Sequence, residues 1–350
     1  MADLTMPRAS AALATLVCLG AGLPTRAGPN YDFTRVELEA IVQDLIAWLP
    51  GAWDSYPQIH FERRVRTPAD GEHDHWHRTF ARIDAPQIGP LVFYGQINIG
   101  GRDGPLLPRS QILYTIEIDE QRNAVNMNGQ GPLDPEAFVN LHERPELWSK
   151  VRMRDPGALN CDFLWRRDGV QLFAVLDGKT DDKRKYGPGT CRYNMAGTDI
   201  EFFADAEWVL SPDELWDYDI NTIGGRQFVG RADRTHIRLY RASGYRCVVS
   251  DAAGRRDWHA HNRGARTVVR NGAGADMELM LLRAPMPARD GPGLADRLRL
   301  LLKPQGSEKP TTEIAAAADA QKIELRAERV EAICEVSDEL PPLTPPPATR

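Results

Sequence analysis

Apolar residues fall at helical spacing near the start of the chain and then change to alternation. Over residues 33–49 (FTRVELEAIVQDLIAWL), Val36, Leu38, Ile41, Leu45, Ile46 and Leu49 lie mostly three or four apart, which predicts an amphipathic helix. Asp32 and Thr34 are its candidate caps and Pro50-Gly51 its stop. From His60 to Ala242 short alternating runs take over, broken by turn residues such as Ala-Asp-Gly, Arg-Asp-Gly, Gly-Pro-Gly and Gly-Gly. Strands are expected at 58–66, 74–83, 90–98, 111–118, 161–167, 170–176, 191–195, 199–210 and 234–241. Many short strands with few helices between them predict an antiparallel barrel or sandwich. Alternation gives it an inner face that can line a cavity or fill a core.

Short helices are expected at 134–148 and at 211–217, where Ser211-Pro212-Asp213-Glu214 has the composition of a helix start. Beyond the barrel region, 33–242, strand-like runs at 245–250 and 265–284 mark an extension over 243–302. Residues 303–310 read as a linker. Residues 311–334 read as a polar Ala/Glu/Arg-rich helix with a thin stripe of Ile314, Ile323, Leu325, Val330 and Ile333. The end of the chain, to residue 350, is Pro-rich and expected to be disordered or polyproline-like.

The first thirty residues differ in kind. Arg8 precedes a small, apolar run from Ala9 to Leu23, and Thr25-Arg26-Ala27 offers a small-x-Ala cleavage site. This layout predicts a signal peptide over 1–27 and export to the periplasm or the extracellular space. A flexible amphipathic N-terminus, which Asp3 favours, is the alternative and leaves the chain cytoplasmic. Thr15 stands where a lipoprotein signal wants Leu, so no lipid anchor is expected on Cys18.

An even set of cysteines follows: Cys161, Cys191, Cys247 and Cys334. In an exported chain such a set permits disulfides. Cys161 and Cys191 are the best-placed pair, each adjoining a strand-like run. Cys247 and Cys334 read as small buried hydrophobes.

Composition adds exclusions. The chain has 350 residues, 42% hydrophobic and 26% charged, which is ordinary for a soluble globular protein. A net charge of −6 argues against a nucleic-acid partner. No apolar run reaches the ~18 residues that cross a bilayer as a helix, so no transmembrane segment is expected.

Familiar catalytic motifs are absent: there is no GxSxG, P-loop, HExxH or strand-linked GxGxxG. Three features could carry chemistry. His73, His75 and His77 would share one face of a strand, close enough for a metal. Neighbouring same-face positions converge poorly on one ion, so the expectation is no metal. Trp258-His259-Ala260-His261, flanked by Arg255, Arg256 and Arg263, reads equally as an anion-binding loop or a solvated basic one and is assigned no function. The third is a spread of aromatic and polar residues: Tyr94, Gln96, Gln111, Tyr114, Trp165 and Trp216-Asp217-Tyr218-Asp219. A planar ligand needs such π-faces and hydrogen-bonding groups, and a packed core needs the same aromatics.

The order of segments is more informative. Trp48-Leu49-Pro50-Gly51 with Trp53-Asp54 and Gln58 is followed by Phe93-Tyr94-Gly95-Gln96, then by residues 108–114 (PRSQILY). Next come Leu133-Asp134-Pro135 with Phe138, then Asn160-Cys161-Asp162, Gly189-Thr190-Cys191 and Leu215-Trp216-Asp217, leading to Gly224 and Gly230. From about Ala47 to Ala242 this series resembles the T-type phycobiliprotein chromophore lyases, the CpcT/CpeT family. The resemblance implies a mainly β fold, a lipocalin-like (calycin) antiparallel barrel that holds an open-chain tetrapyrrole, a bilin. It implies delivery of that bilin to a cysteine of a phycobiliprotein-type acceptor by thiolate addition. The lyase then supplies shape and presentation, and no permanent cofactor is needed.

Carried over residue by residue, the resemblance makes Tyr94, Gln96, Gln111, Tyr114, Trp216 and Asp217 the ligand-binding candidates, with Asp217 also the catalytic candidate. The chain departs from the family where arginines would hold the bilin's propionates: those positions are Ser110 and Ile112. Gly95 replaces a Glu, and Tyr218-Asp219 replaces an Arg-Gly. Two other readings stay open. One is an exported, non-enzymatic binding protein for another hydrophobic or aromatic ligand; the other is an assembly factor with a solid barrel. The partners allowed are the bilin, its acceptor and a second copy of the chain.

Overall fold

Thr34 starts the first helix, α1 (Arg35–Trp48), with a reciprocal cap: its hydroxyl accepts from the Glu37 amide while the Glu37 carboxylate accepts the Thr34 N–H. Leu38, Ile41 and Leu45 form its buried stripe, as the spacing predicts. The computed structural model describes residues 32–65, 67–68, 71–154, 161–178, 190–194, 198–231, 233, 235–288 and 292–337. The expected signal segment and the Pro-rich end lie outside these residues.

After α1 come β1 (Gly51–Asp54), a second helix α2 (Tyr56–Arg64), β2 (Trp76–Ile83), β3 (Val92–Ile99), β4 (Ile112–Asp119) and β5 (Ala124–Gln130). They are followed by β6 (Cys161–Asp168), β7 (Gln171–Gly178), β8 (Thr190–Asn194), β9 (Glu201–Leu210), β10 (Glu214–Ile223), β11 (Arg226–Val229) and β12 (Ile237–Arg241). Ten of these strands pair in the order β10-β12-β1-β2-β3-β4-β5-β6-β7-β9, and the β9–β10 hairpin closes the ring. Closure leaves no open sheet edge in the ring, and β8 and β11 add to β9 and β10 outside it. This is the mainly β, lipocalin-like antiparallel barrel expected from the sequence.

Alternation divides each strand between two environments. On β3, Phe93 and Ile97 join Trp53, Phe80, Tyr114, Trp165 and Trp208 in the barrel core, which the α1 stripe also enters. Val92 and Tyr94 of the same strand face outward. There they pack beneath a covering segment through Leu141 and Val151.

The remaining strands are β13 (Gly244–Asp251), β14 (Gly254–His261), β15 (Arg263–Arg270), β16 (Asp276–Pro287), β17 (Leu294–Pro304), β18 (Thr312–Ala317), β19 (Lys322–Ala327) and β20 (Val330–Ser337). They form two four-stranded antiparallel sheets, β14-β13-β20-β19 and β15-β16-β17-β18, which share one apolar core and so make a sandwich. Leu279 and Leu281 of β16 point into that core. Met280, Leu282 and Ala284 point the other way, onto Tyr56 and Ile59 of α2. Helix α2 is therefore the apolar joint between sandwich and barrel.

Several expectations are corrected. The segment read as a strand at 58–66 is α2: Pro57 opens it, and Tyr56, Ile59 and His60 repeat at helical spacing. The helix expected at 211–217 is the β9–β10 turn and the start of β10, closed by Ser211 N–H to the Glu214 carbonyl and Glu214 N–H to the Ser211 hydroxyl. Pro serves a turn and a helix start alike, because both want φ near −65°. In 134–148 only 3₁₀ turns form, at Leu141–Glu143 and Pro145–Leu147, with Pro145 interrupting any longer helix.

The largest correction is the polar helix at 311–334, which is β18, β19 and most of β20. Ile323 and Leu325 are buried between exposed Lys322, Glu324 and Arg326, and Val330, Ala332 and Cys334 repeat the pattern. Composition favoured helix, but the period is two. Glu328 and Arg329, both at positive φ, form the turn between β19 and β20. The expected linker at 303–310 is correspondingly short, since β17 runs to Pro304.

Cys161 and Cys191 are joined, with Cα atoms 5.6 Å apart. Cys247 and Cys334 are also joined rather than merely buried. They are register partners on β13 and β20, 87 residues apart in sequence. A cross-link closing so long a loop contributes most through the unfolded chain. The Cys247→Ser/Cys334→Ser double variant is expected to lose roughly 2–4 kcal/mol in urea unfolding. Wild-type stability in that variant would show that packing alone holds the sandwich.

Candidate functional site

The barrel core contains a charge. Arg78 stands on β2 between Trp76 and Phe80, on the same inward face, and is only 5% exposed. Its guanidinium is paired with Asp217 of β10, donates to the Tyr114 hydroxyl at 3.2 Å, and lies 4.2 Å from the Trp208 ring centroid and 4.7 Å from that of Phe80. Tyr114 and Trp165 in turn pack edge-on against Trp208. The result is an aromatic chamber around one ion pair. Within it, the indole N–H groups of Trp76 and Trp165 and the Oδ1 atom of Asp217 have no hydrogen-bond partner.

A cavity of about 460 Å³ adjoins this chamber, lined by Glu72, Asp74, Trp76, Gly230, Arg231, Asp233 and Ile237. Trp76 and Ile237 belong to the barrel core and form the apolar part of its wall. Ile237 is the register partner of Asp217, and Trp76 is two residues from Arg78 along one face. The ion pair thus sits one layer behind the cavity wall. Among the described residues of that wall, Arg231 stands against Glu72, Asp74 and Asp233.

A second carboxylate follows on β10. Burial and the neighbouring Asp217 raise Asp219 to about 8, and Asn221 donates to it at 2.6 Å. Burial raises Asp217 as well, with Arg78 pulling the other way. Around neutral pH the two carboxyls therefore hold a proton between them, which makes the site both a donor and an acceptor.

The structure separates the sequence-derived candidates. Tyr114 and Asp217 meet in the chamber. Tyr94, Gln96 and Gln111 lie together outside the lumen: the Tyr94 hydroxyl donates towards Gln96 at 2.8 Å and Gln111 at 3.1 Å, Gln96 donates to Asn140, and Gln111 donates to the Pro135 carbonyl. These bonds pin the covering segment to the barrel wall. Trp216 also faces outward, with Arg238 4.2 Å from its ring and its N–H on Glu214. Of the residues standing where the family has arginines, Ser110 bonds the backbone of Ile97, and Ile112 packs on the core.

Sequence reasoning missed Arg78 and the place of Trp76 in the cavity wall. The signal was there: a charged residue on the face that Trp76 and Phe80 mark as apolar.

The two histidine motifs converge elsewhere, on the outer face of β1 and β2 where the sandwich docks. Asp54 is fully buried and is the register partner of His77. Its carboxylate receives His75 Nε2 at 2.8 Å, His77 Nδ1 at 2.9 Å and the Tyr56 amide at 2.8 Å, while His261 Nε2 from β14 stands 3.9 Å away. Burial alone would raise Asp54. The three imidazoles override it and hold the carboxyl below the usual range. His73 turns away to Glu62, at 2.6 Å.

Asp54, His77 and His261 have ligand-type atoms within 4.8 Å of one another, so a metal deserves a test. The protons decide it. The Arg263 amide donates to His261 Nδ1 at 3.2 Å, which puts the ring proton on Nε2, facing Asp54. A metal would need that Nε2 lone pair. The group is therefore a shell of donors around a carboxylate.

These titrations set opposite slopes of stability. Asp219 binds its proton more tightly when folded than at its ordinary 3.8, so stability falls as pH rises from about 4 to about 8. Asp54 is shifted downward, so the stability it contributes is present above pH ~4 and lost as pH falls below that. In thermal melts the margin of Asp219→Asn over wild type is expected to widen as pH rises from about 4 to about 8, reaching a few degrees near pH 8. Parallel wild-type and variant curves would contradict the assignment.

No family model matches the chain, and no curated protein matches it. A solved structure, the SeMet CRL protein of Arabidopsis, is similar over 58% of this chain and 97% of its own, with 10% sequence identity and a TM-score of 0.40.

Proposed function

We propose that the barrel binds an open-chain tetrapyrrole and presents it to a cysteine of an acceptor protein, as the resemblance to the T-type chromophore lyases implies. The observation that carries this reading is Asp217: a buried carboxylate whose Oδ1 accepts no close hydrogen bond, with the Trp208 indole drawing on it, among aromatic rings. Pyrrole N–H groups are donors spread along a flat conjugated ligand. They need an acceptor and π-faces, and Asp217 with Trp76, Trp165 and Trp208 supplies both. All four described cysteines are in disulfides, so the thiol that takes the chromophore belongs to the acceptor.

A second reading is favoured by the cavity wall. Glu72, Asp74 and Asp233 would repel the two propionates of a bilin, and the family's arginines are missing. On that reading the barrel carries a neutral or cationic aromatic molecule and transfers nothing.

An absorbance titration separates them. A linear bilin is expected to give a saturable red shift at micromolar affinity, and Asp217→Asn should weaken it about tenfold, ~1.4 kcal/mol. No shift with any bilin, alongside saturable quenching of tryptophan fluorescence by a neutral polyaromatic, would overturn the first reading and support the second. Equal bilin affinity in Asp217→Asn would remove that residue from the site.

A further inference from the structure

The proposed function gives Asp217 a task and leaves Asp219 without one. The two stand two residues apart on β10, and their register partners on β9 fix their direction: Trp208 lies opposite Asp217 and Ala206 opposite Asp219. Trp208 belongs to the barrel core, while Ala206 joins Leu176 and Cys191 in an apolar cluster against which Phe163 packs. Phe163 also stacks on Trp208, with ring centroids 4.6 Å apart, so both carboxyls stand on the luminal face.

Access separates them. Asp217 is 3% exposed and committed to Arg78, whereas Asp219 is only half-buried. The residues across the hairpin are small, with Ala206 opposite Asp219 and Ala204 opposite Asn221. A methyl group covers little of the carboxyl beside it, so the lumen side of Asp219 stays open to part of a ligand.

Its proton has a defined place. The Asn221 amide donates to Asp219 Oδ1 at 2.6 Å, which makes Oδ1 the accepting oxygen and puts the acid proton on Oδ2. Among the described residues Oδ2 has no hydrogen-bond partner. Burial and then Asp217 keep the carboxyl protonated to about pH 8, with Asp205 of β9 adding to them and Arg78 of β2 opposing. Tyr114 of β4 is the other group that feels its charge.

Addition of a thiol to a conjugated exocyclic double bond needs such an acid. Sulfur bonds to the exocyclic carbon, the π pair moves into the conjugated ring system, and the ring carbon that bore the double bond takes a proton. We propose, resting on the reading of the barrel as a site of thiol addition to a bilin, that Asp219 is the acid: its Oδ2–H goes to that ring carbon, and the carboxylate so formed takes up the proton the thiol has lost. The sum is addition of S–H across one C=C bond, with Asp219 returned to its starting state and nothing oxidised or reduced. Asp217, held by Arg78, keeps the role of acceptor for pyrrole N–H groups.

The test uses the full chain with phycocyanobilin as probe ligand and N-acetylcysteine as thiol. Adduct is followed by mass and by the blue shift that loss of one conjugated double bond brings. Asp219→Asn is expected to bind the bilin within about twofold of wild type and to form adduct at least about tenfold more slowly, with Asp219→Glu recovering part of the rate. The ratio of wild-type to Asp219→Asn rate should fall about tenfold per pH unit above pH ~8, because thiol ionisation is common to both and cancels. Equal rates with bilin bound, or a ratio that does not change with pH, would overturn the role of Asp219 and leave the binding reading standing. Absence of bilin binding to the wild type would overturn both.

Discussion

A guanidinium inside a closed barrel cannot be hydrated, and its charge must be met by what the strands present. Arg78 is met by Asp217 and by the faces of Trp208 and Phe80, and these partners come from β2, β9 and β10. Those strands lie on either side of the ring's closure, with β12 and β1 between β10 and β2. The pair can form only in the correct register, because a one-residue slip would turn either partner to the outside. Apolar side chains of similar volume would fill the same space with no desolvation cost, so the pair is a poor explanation for stability. Under the function proposed above, it is the polar centre of a ligand site walled by aromatic rings.

Asp54 plays the corresponding part outside the barrel. Trp53 and Asp54 are neighbours on β1; one enters the barrel core and the other the docking face, so four residues of strand serve both sites. The buried carboxylate fixes the protons of His75 and His77 and draws His261 in from the sandwich. The apolar contact of α2 with β16 supplies the area, and the Asp54 shell supplies the alignment.

The barrel was legible because alternation over short runs is a local property that burial enforces, and the first helix because its stripe and cap agree. What failed was each place where composition stood in for period. Residues 322–326 alternate strictly, yet their Ala, Glu and Arg neighbours suggested helix. Ser211-Pro212-Asp213-Glu214 was ambiguous in principle, since turn and helix start share a proline geometry. Of the site, Tyr114 and Asp217 were readable from their segments. The resemblance could not tell which alternate positions face inward, and Tyr94, Gln96, Gln111 and Trp216 proved to lie on the outer wall. The convergence of His75, His77 and His261 on Asp54 was not readable, because it joins strands about 200 residues apart.

The most direct measurement of the central claim is the paired replacement Arg78→Met/Asp217→Leu, followed by both a thermal melt and a bilin absorbance titration. A pair kept for ligand binding predicts a melting temperature equal to or above wild type and loss of the spectral shift. An unfolded variant, or a folded one that keeps the wild-type shift, would contradict it.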